Sequence, residues 1–200
     1  MVKADTTQLV HDFLGSAQIF ASALNDLMEQ QLKSVTGKKL TFSQLKLLKM
    51  VSRSDTYTVS NVAAFLRVSN AAASRAVDRL VKRGLLNRTE AEDDRRAVHL
   101  SLTERGRKLL QSYDSAADQA IEGLFGTLSA EQLKRTASLL DNLSVSIVER
   151  ENGAEEVCFR CGIHFRDRCL LRQSGNRACH FHLARLNAGT AAGGGGNQRD

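Results

Sequence analysis

Apolar residues recur at positions 10, 13, 14, 17, 20, 21, 24, 27 and 28, so three interleaved rows each repeat every seven residues. A stripe that wide predicts a helix of about 25 residues with one broad buried face, which either crosses its own domain or packs on a second subunit. The pattern then shortens. Thr41 followed by Gln44 spells a capping box ahead of a helix carrying Leu45, Leu48 and Val51, and Ser60 is placed to cap a short helix with Val62, Phe65 and Leu66. Ser69 opens a third helix running to about Arg83, where Gly84 supplies the left-handed stop. Residues 86–91 and 98–102 read as two strands, the second alternating Val98, Leu100 and Leu102 inward with His99 and Ser101 outward. Their connection, Glu92-Asp93-Asp94-Arg95-Arg96, is a charged hairpin tip. Thr103 caps a long helix to about Leu128, and Ser129 with Gln132 caps another bearing Leu133, Ala137, Leu140, Leu143 and Ile147, which Gly153 ends. Proline is absent, so caps and glycines carry all the punctuation.

Three short helices followed by a charged two-stranded hairpin spell a helix-turn-helix with a wing. The expected fold class is therefore mainly α (α+β): a winged helix-turn-helix with long N- and C-terminal dimerisation helices. The chain divides into a dimerisation helix (1–39), the winged domain (40–103), C-terminal dimerisation helices (104–153), a cysteine-rich segment (154–187) and a Gly-rich flexible tail (188–200), the last with glycines at 193–196. Within the third short helix, Ala73, Ala76, Val77, Leu80 and Val81 share the core-facing side, leaving Asn70, Ser74, Arg75, Asp78, Arg79 and Lys82 largely opposite. Ala71 and Ala72 are small enough for close approach to DNA. Arg75 has the fork geometry to read guanine, while Ser69, Asn70 and Ser74 suit phosphate or base edges and Arg79 adds charge.

Charge supports this placement. The chain carries a net +6, and residues 40–110 hold fourteen Lys and Arg against seven Asp and Glu, whereas residues 1–39 balance at four each and residues 111–150 are acidic, three against six. The excess thus lies on the winged segment, which points to double-stranded DNA as the partner. Arg95 and Arg96 at the hairpin tip suit insertion into the negative potential of the minor groove, with Asp94 as a brace. No apolar run reaches the roughly 18 to 20 residues of a bilayer span, and Asp5, His11 and Asp12 interrupt any secretory core. A cytoplasmic protein with no membrane partner is expected. No P-loop, dinucleotide-binding glycine pattern or nucleophile elbow is present, so an enzyme is not expected.

Residues 41–110, with TVSNVAAFLRVS, SRAVDRLVKRGLLNR and DDRRAVHLSLTERG, resemble the winged-helix domain of the multiple antibiotic resistance regulator (MarR) family. The wing signature is an acidic residue and Arg-Arg before a strand, then Leu-Thr-x-x-Gly. With the flanking long helices the likeness extends over about residues 5–150. The resemblance implies a homodimeric bacterial transcription factor on a pseudopalindromic operator, usually a repressor, with affinity tuned by a small-molecule effector, oxidant or metal. It further implies that Ser74 and Arg75 enter the major groove and Arg96 the minor groove, with Asp94 steadying the wing. The competing reading is a winged-helix protein–protein interaction module whose tail handles metal or thiol redox chemistry.

The family pattern stops near residue 150, and Cys158, Cys161, Cys169 and Cys179 follow with spacing C-x2-C-x7-C-x9-C. Two thiolates two residues apart can share a metal in a knuckle, and Gly162 directly after them permits the tight turn. Four cysteines fill a tetrahedral site with no open position, which favours structure or sensing over catalysis. Zinc is favoured as the occupant, and an iron–sulfur cluster is the alternative; thiols acting as a disulfide sensor without metal are a third possibility. His164, His180 and His182 are expected to be surface residues. Six Arg against one Asp across residues 157–187 would offset the charge of a thiolate centre.

Overall fold

The computed structural model describes residues 2–37, 39–54, 57–90, 98–150, 158–166, 169–174 and 179–182. Seven helices and one hairpin are described: α1 (Val2–Thr36), α2 (Phe42–Val51), α3 (Val59–Leu66), α4 (Asn70–Lys82), β1 (Leu86–Glu90), β2 (Val98–Leu102), α5 (Glu104–Phe125), α6 (Ala130–Val148) and α7 (Leu170–Ser174). The strands pair antiparallel with Leu86 opposite Leu102 and Arg88 opposite Leu100, and Tyr57 adds a bridge to the outer side of Leu100. The element order is that of a winged helix held between long helices.

Local chemistry sets most boundaries. The Thr41 hydroxyl accepts from Gln44 N–H at 3.3 Å while the Gln44 amide returns to Thr41 N–H at 3.1 Å, and Ser129 with Gln132 repeats the arrangement for α6. The start of α3 differs from the sequence expectation. Thr58, not Ser60, is the cap, its hydroxyl meeting Asn61 N–H while Asn61 Oδ1 accepts from Thr58 N–H at 2.9 Å. Ser60 lies inside the helix and is exposed. The α4 stop is as expected: Gly84 has φ +67°, and Gly84 N–H and Leu85 N–H bond to Val81 and Leu80 carbonyls at 2.8 and 3.0 Å. Two lengths also differ. The first helix begins at Val2 and spans 35 residues, because no breaker lies ahead of the apolar stripe. The α6 helix ends at Val148, with Glu149 N–H bonding to the Val145 carbonyl, so Gly153 does not terminate it; that glycine lies outside the described residues.

The core sits where α2, α3, α4 and the hairpin meet. Leu45, Leu47, Leu48, Val62, Val77, Leu80 and Leu100 are fully buried there, and Met28 and Leu32 of α1 close it from above. Tyr113 of α5 is buried against Met28, its hydroxyl 3.4 Å from the sulfur. Lys49 of α2 pairs with Asp114 of α5. The apolar stripe of α1 is covered by its own chain only toward its C-terminal end. Val10, Phe13, Leu14 and Ile19 remain exposed, Ile19 by 71%, and so do Leu139, Leu140, Leu143 and Ile147 on α6. Among the described residues no helix is long and apolar enough to cross a membrane.

The Leu-Thr-x-x-Gly signature has a packing reason. Leu102 is buried, the Thr103 hydroxyl donates to the Gly84 carbonyl at 2.7 Å and accepts from Gly106 N–H at 3.0 Å, and Gly106 lies against the turn into the hairpin. A Cβ at Gly106 would stand 2.3 Å from the Leu85 carbonyl oxygen. The wing and the start of α5 are thereby locked together.

Candidate nucleic-acid interface and cysteine cluster

The turn between α3 and α4 is made by Arg67 in the left-handed region (φ 54°, ψ 50°). Val68 N–H reaches the Ala63 carbonyl at 3.0 Å and Arg67 N–H the Ala64 carbonyl at 3.3 Å, the paired closure that satisfies the last carbonyls of α3 and sends the chain into α4. Ser69 caps α4 by accepting from Ala72 N–H at 3.3 Å. Ala73, Val77 and Leu80 are buried, with Ala76 and Val81 packed beside them, as the helical period requires. The opposite face presents Asn70, Arg75 and Arg79 exposed, while Ser74 is half-buried.

Arg88 of β1, which the sequence reading did not single out, braces that face. Its guanidinium meets Asp78 at 2.8 Å and lies 3.5 Å from the Ser74 hydroxyl. Wing and α4 are thus joined through polar side chains as well as through the core. A signal existed in the sequence, since Asp78 is the one acidic residue on an otherwise basic face, but its partner comes from ten residues away on another element. Asp94, Arg95 and Arg96 lie outside the described residues.

The four cysteines converge although they come from three separate stretches. Cys158 pairs with Cys179 through a parallel bridge, with His180 N–H directed at the Cys158 carbonyl at 3.4 Å. Cys161 follows in the knuckle, where Gly162 has φ +57° and its N–H meets the Phe159 carbonyl at 3.1 Å. Cys169 directly precedes α7. All four are half-buried and line one cavity of ≈ 440 Å³ with the C-terminal end of α6. Burial pushes the Cys161 thiol up to about 11, and Cys179, Cys158 and Cys169 add to the effect. Among the described residues no three His, Cys, Asp or Glu side chains are arranged to hold a single metal ion as they stand.

Aromatic contacts dock this segment on the winged helix. Phe65 of α3 meets Phe159 and Phe181 with ring centroids 5.6 and 6.0 Å apart, His180 stacks on Tyr57 at 5.0 Å, and Arg53 covers Phe165 at 4.2 Å. The expectation of surface histidines therefore fails for His180, whose ring is sandwiched between Tyr57 and Phe159 and whose Nε2 is buried. His164 and His182 are exposed, as expected, and the proton affinity of His164 is lowered by desolvation of its ring and by Lys49 and Lys46. On the other side, Arg166 grips Asp141 of α6 through two bonds of 2.5 and 2.6 Å. The bond to Arg166 holds the Asp141 carboxyl below its ordinary range.

Comparison with known proteins places this architecture. The sequence model of the MarR family matches residues 40–98. The HTH-type transcriptional regulator YhbI of Bacillus subtilis is 31% identical over 105 residues, covering 52% of this chain and 68% of YhbI. The transcriptional repressor MprA of Escherichia coli is 28% identical over 123 residues, 58% of this chain and 70% of MprA. Among solved structures, FabT of Streptococcus pneumoniae in complex with DNA shares the fold with a TM-score of 0.60 at 24% identity, covering 72% of this chain and 99% of FabT. The chain belongs to the MarR family of transcriptional regulators.

Proposed function

We propose that the protein is a homodimeric, sequence-specific operator-binding regulator that acts as a repressor, with α4 in the major groove and the hairpin tip in the adjacent minor groove. The observation that carries this reading is the division of α4: an apolar side whose Ala73, Val77 and Leu80 are buried and fix the helix, and an outer side that offers Asn70, Arg75 and Arg79 to a partner. Arg75 reads a base edge. Ser74 enters the major groove beside it, Ser69 and Asn70 meet phosphate or base edges, Arg79 adds charge, and Arg95 and Arg96 reach the minor groove with Asp94 as their brace.

Dimerisation follows from the exposed apolar residues of α1 and α6. Phe13, Leu14, Ile19, Leu140, Leu143 and Ile147 lie on the two long helices that flank the winged domain, a concentration that a single soluble chain rarely leaves in water. A second copy covers them and sets two recognition helices one helical turn of DNA apart, matching a pseudopalindrome. The repressor MprA and the DNA-bound FabT are consistent relatives. An effector signal, whether small molecule, metal or oxidant, would act by changing the separation of the two recognition helices.

The test is a gel shift on duplexes selected by the protein from a random pool, at graded salt and with random competitor. Arg75→Ala and Arg96→Ala are each expected to weaken binding by about 1–3 kcal/mol. Unchanged affinity in both variants rejects these roles.

A further inference from the structure

The cysteine-bearing segment stands between two bodies that a regulator of this design must hold at a defined angle. One end is seated on the winged helix through Phe159 and Phe181 against Phe65. The other is tied to α6, the flanking long helix, through Arg166 and Asp141. All four thiols line the cavity at this junction, whose far wall is Ile147 and Val148 of α6. We propose that Cys158, Cys161, Cys169 and Cys179 jointly ligate one iron–sulfur cluster, and that the cluster makes the segment a rigid strut between the DNA-binding lobe and α6. The coupling part of this proposal rests on the DNA-binding reading above; the ligation part does not.

Three observations support the site. The first is the fold of the segment: a C-x2-C knuckle closed by a left-handed glycine, with Cys179 paired alongside Cys158 and Cys169 at the entry to a helix, so residues far apart in sequence face one space. The second is its size. A zinc ion bound at about 2.3 Å to each of four sulfurs draws them into a closed tetrahedron; among the described residues no three ligand-type side chains stand in such an arrangement, and the four thiols line, together with residues of α6, a cavity of ≈ 440 Å³. A cavity of that size has room for a polynuclear cluster held by cysteines from separate stretches of chain. The proposal therefore takes the iron–sulfur alternative in place of zinc. The third is charge: Arg160 and Arg172 share the cavity wall with the thiols, beside the Arg166–Asp141 pair, so a thiolate-bound cluster of net negative charge meets a net positive lining where it forms.

Among the described residues the side chains that the segment itself buries are Ile163 and Phe181. Ligation would therefore supply folding free energy to it, and losing the cluster would release the strut from α6. The orientation of α4 relative to the long helices, and with it operator affinity, would then depend on occupancy.

Full-length protein purified without oxygen, or reconstituted with ferrous iron and sulfide, tests this in two separable arms. The first arm measures iron, acid-labile sulfide, zinc and the visible spectrum. Iron and sulfide in comparable amounts with a broad visible band, lost in Cys158→Ser and in Cys179→Ser, are expected. Colourless protein with one zinc per chain would keep the four ligands and overturn the cluster, and protein that binds neither overturns the site. The second arm compares the affinity of loaded and chelator-stripped, reduced protein for a selected duplex. A difference of about fivefold or more is expected, and equal affinities overturn the strut. Asp141→Asn leaves the thiols untouched, so it should retain the iron while shrinking that difference, which separates loss of coupling from misfolding of a cysteine variant. If cluster forms but neither state binds any duplex, the DNA reading fails and the ligation stands.

Discussion

Replacing Gly106 by alanine tests how the wing is anchored. The added Cβ would lie 2.3 Å from the Leu85 carbonyl oxygen and 3.3 Å from a methyl of Leu102. The first contact is with backbone at both ends, so no rotamer change relieves it. Leu85 is itself buried, and its carbonyl accepts Thr103 N–H at 3.2 Å, a bond that shares the same oxygen. Relief requires moving the α5 start away from the hairpin by most of an ångström. Overpacking of this kind costs about 1–3 kcal/mol, and weakening the Thr103 bond adds roughly 0.5–1.5 kcal/mol. Alanine returns about 1 kcal/mol through its better helix propensity. The net expectation is a loss of roughly 0.5–3.5 kcal/mol, which for a chain of this size lowers the melting temperature by about 1–14 °C. Thermal unfolding followed by circular dichroism, with urea midpoints as a second probe, measures it. An unchanged or raised melting temperature would show that the close approach does not constrain the native fold, and the argument for the wing signature would fall with it.

Other substitutions probe neighbouring features. Arg67→Gly should raise stability by about 0.5–1 kcal/mol in urea melts, because a side-chain-bearing residue in the left-handed conformation is strained and glycine is not; a loss of stability would mean that the arginine side chain contributes more than its backbone costs. The Tyr57 hydroxyl is buried with no hydrogen-bond partner among the described residues, and burial pushes its pKa up to about 12. In metal-free protein Tyr57→Phe is therefore expected to be neutral or stabilising by up to about 1 kcal/mol, and a marked loss in Tm would reveal a partner for that hydroxyl. Asp141 has a lowered folded pKa, so its contribution to docking is present above the ordinary carboxylate value near 4 and is lost as pH falls through the lowered value. Limited proteolysis of residues beyond 150 should accordingly speed up in that acidic window. Asp141→Asn should already be faster at neutral pH, by an amount reflecting about 0.5–1 kcal/mol for a half-exposed pair. Equal cleavage of the two proteins at neutral pH would remove Asp141 from the docking.

How much of this was legible in the sequence depends on how local each cause is. Thr41 with Gln44, Ser129 with Gln132, and Gly84 are short-range signals, and the structure shows each acting as expected. Ser60 misled because Thr58 and Asn61 form the same reciprocal cap with asparagine in the place usually read for Glu or Gln, two residues earlier. Arg88 was invisible as a brace because its partners, Asp78 and Ser74, are brought to it only when the hairpin folds back on α4. The stripe on α1 was legible as a helix, but periodicity could not say that only its last turns, with Met28 and Leu32, meet the chain's own core. The cysteine spacing announced a knuckle. Its seat on Phe65 and Tyr57, the burial of His180 and the tie to Asp141 are long-range contacts between aromatic and charged residues that no spacing rule encodes.

The most direct test of the account is the salt dependence of duplex binding by the full-length protein, read by fluorescence anisotropy beside its sedimentation state. A dimer should bind a selected duplex with affinity falling by a factor on the order of a thousand or more between 50 and 200 mM salt, as expected for six or more phosphate contacts, and Arg75→Ala should bind more weakly across that range. A monomer, or a dimer whose interaction with duplex DNA is absent even at low salt, would contradict it.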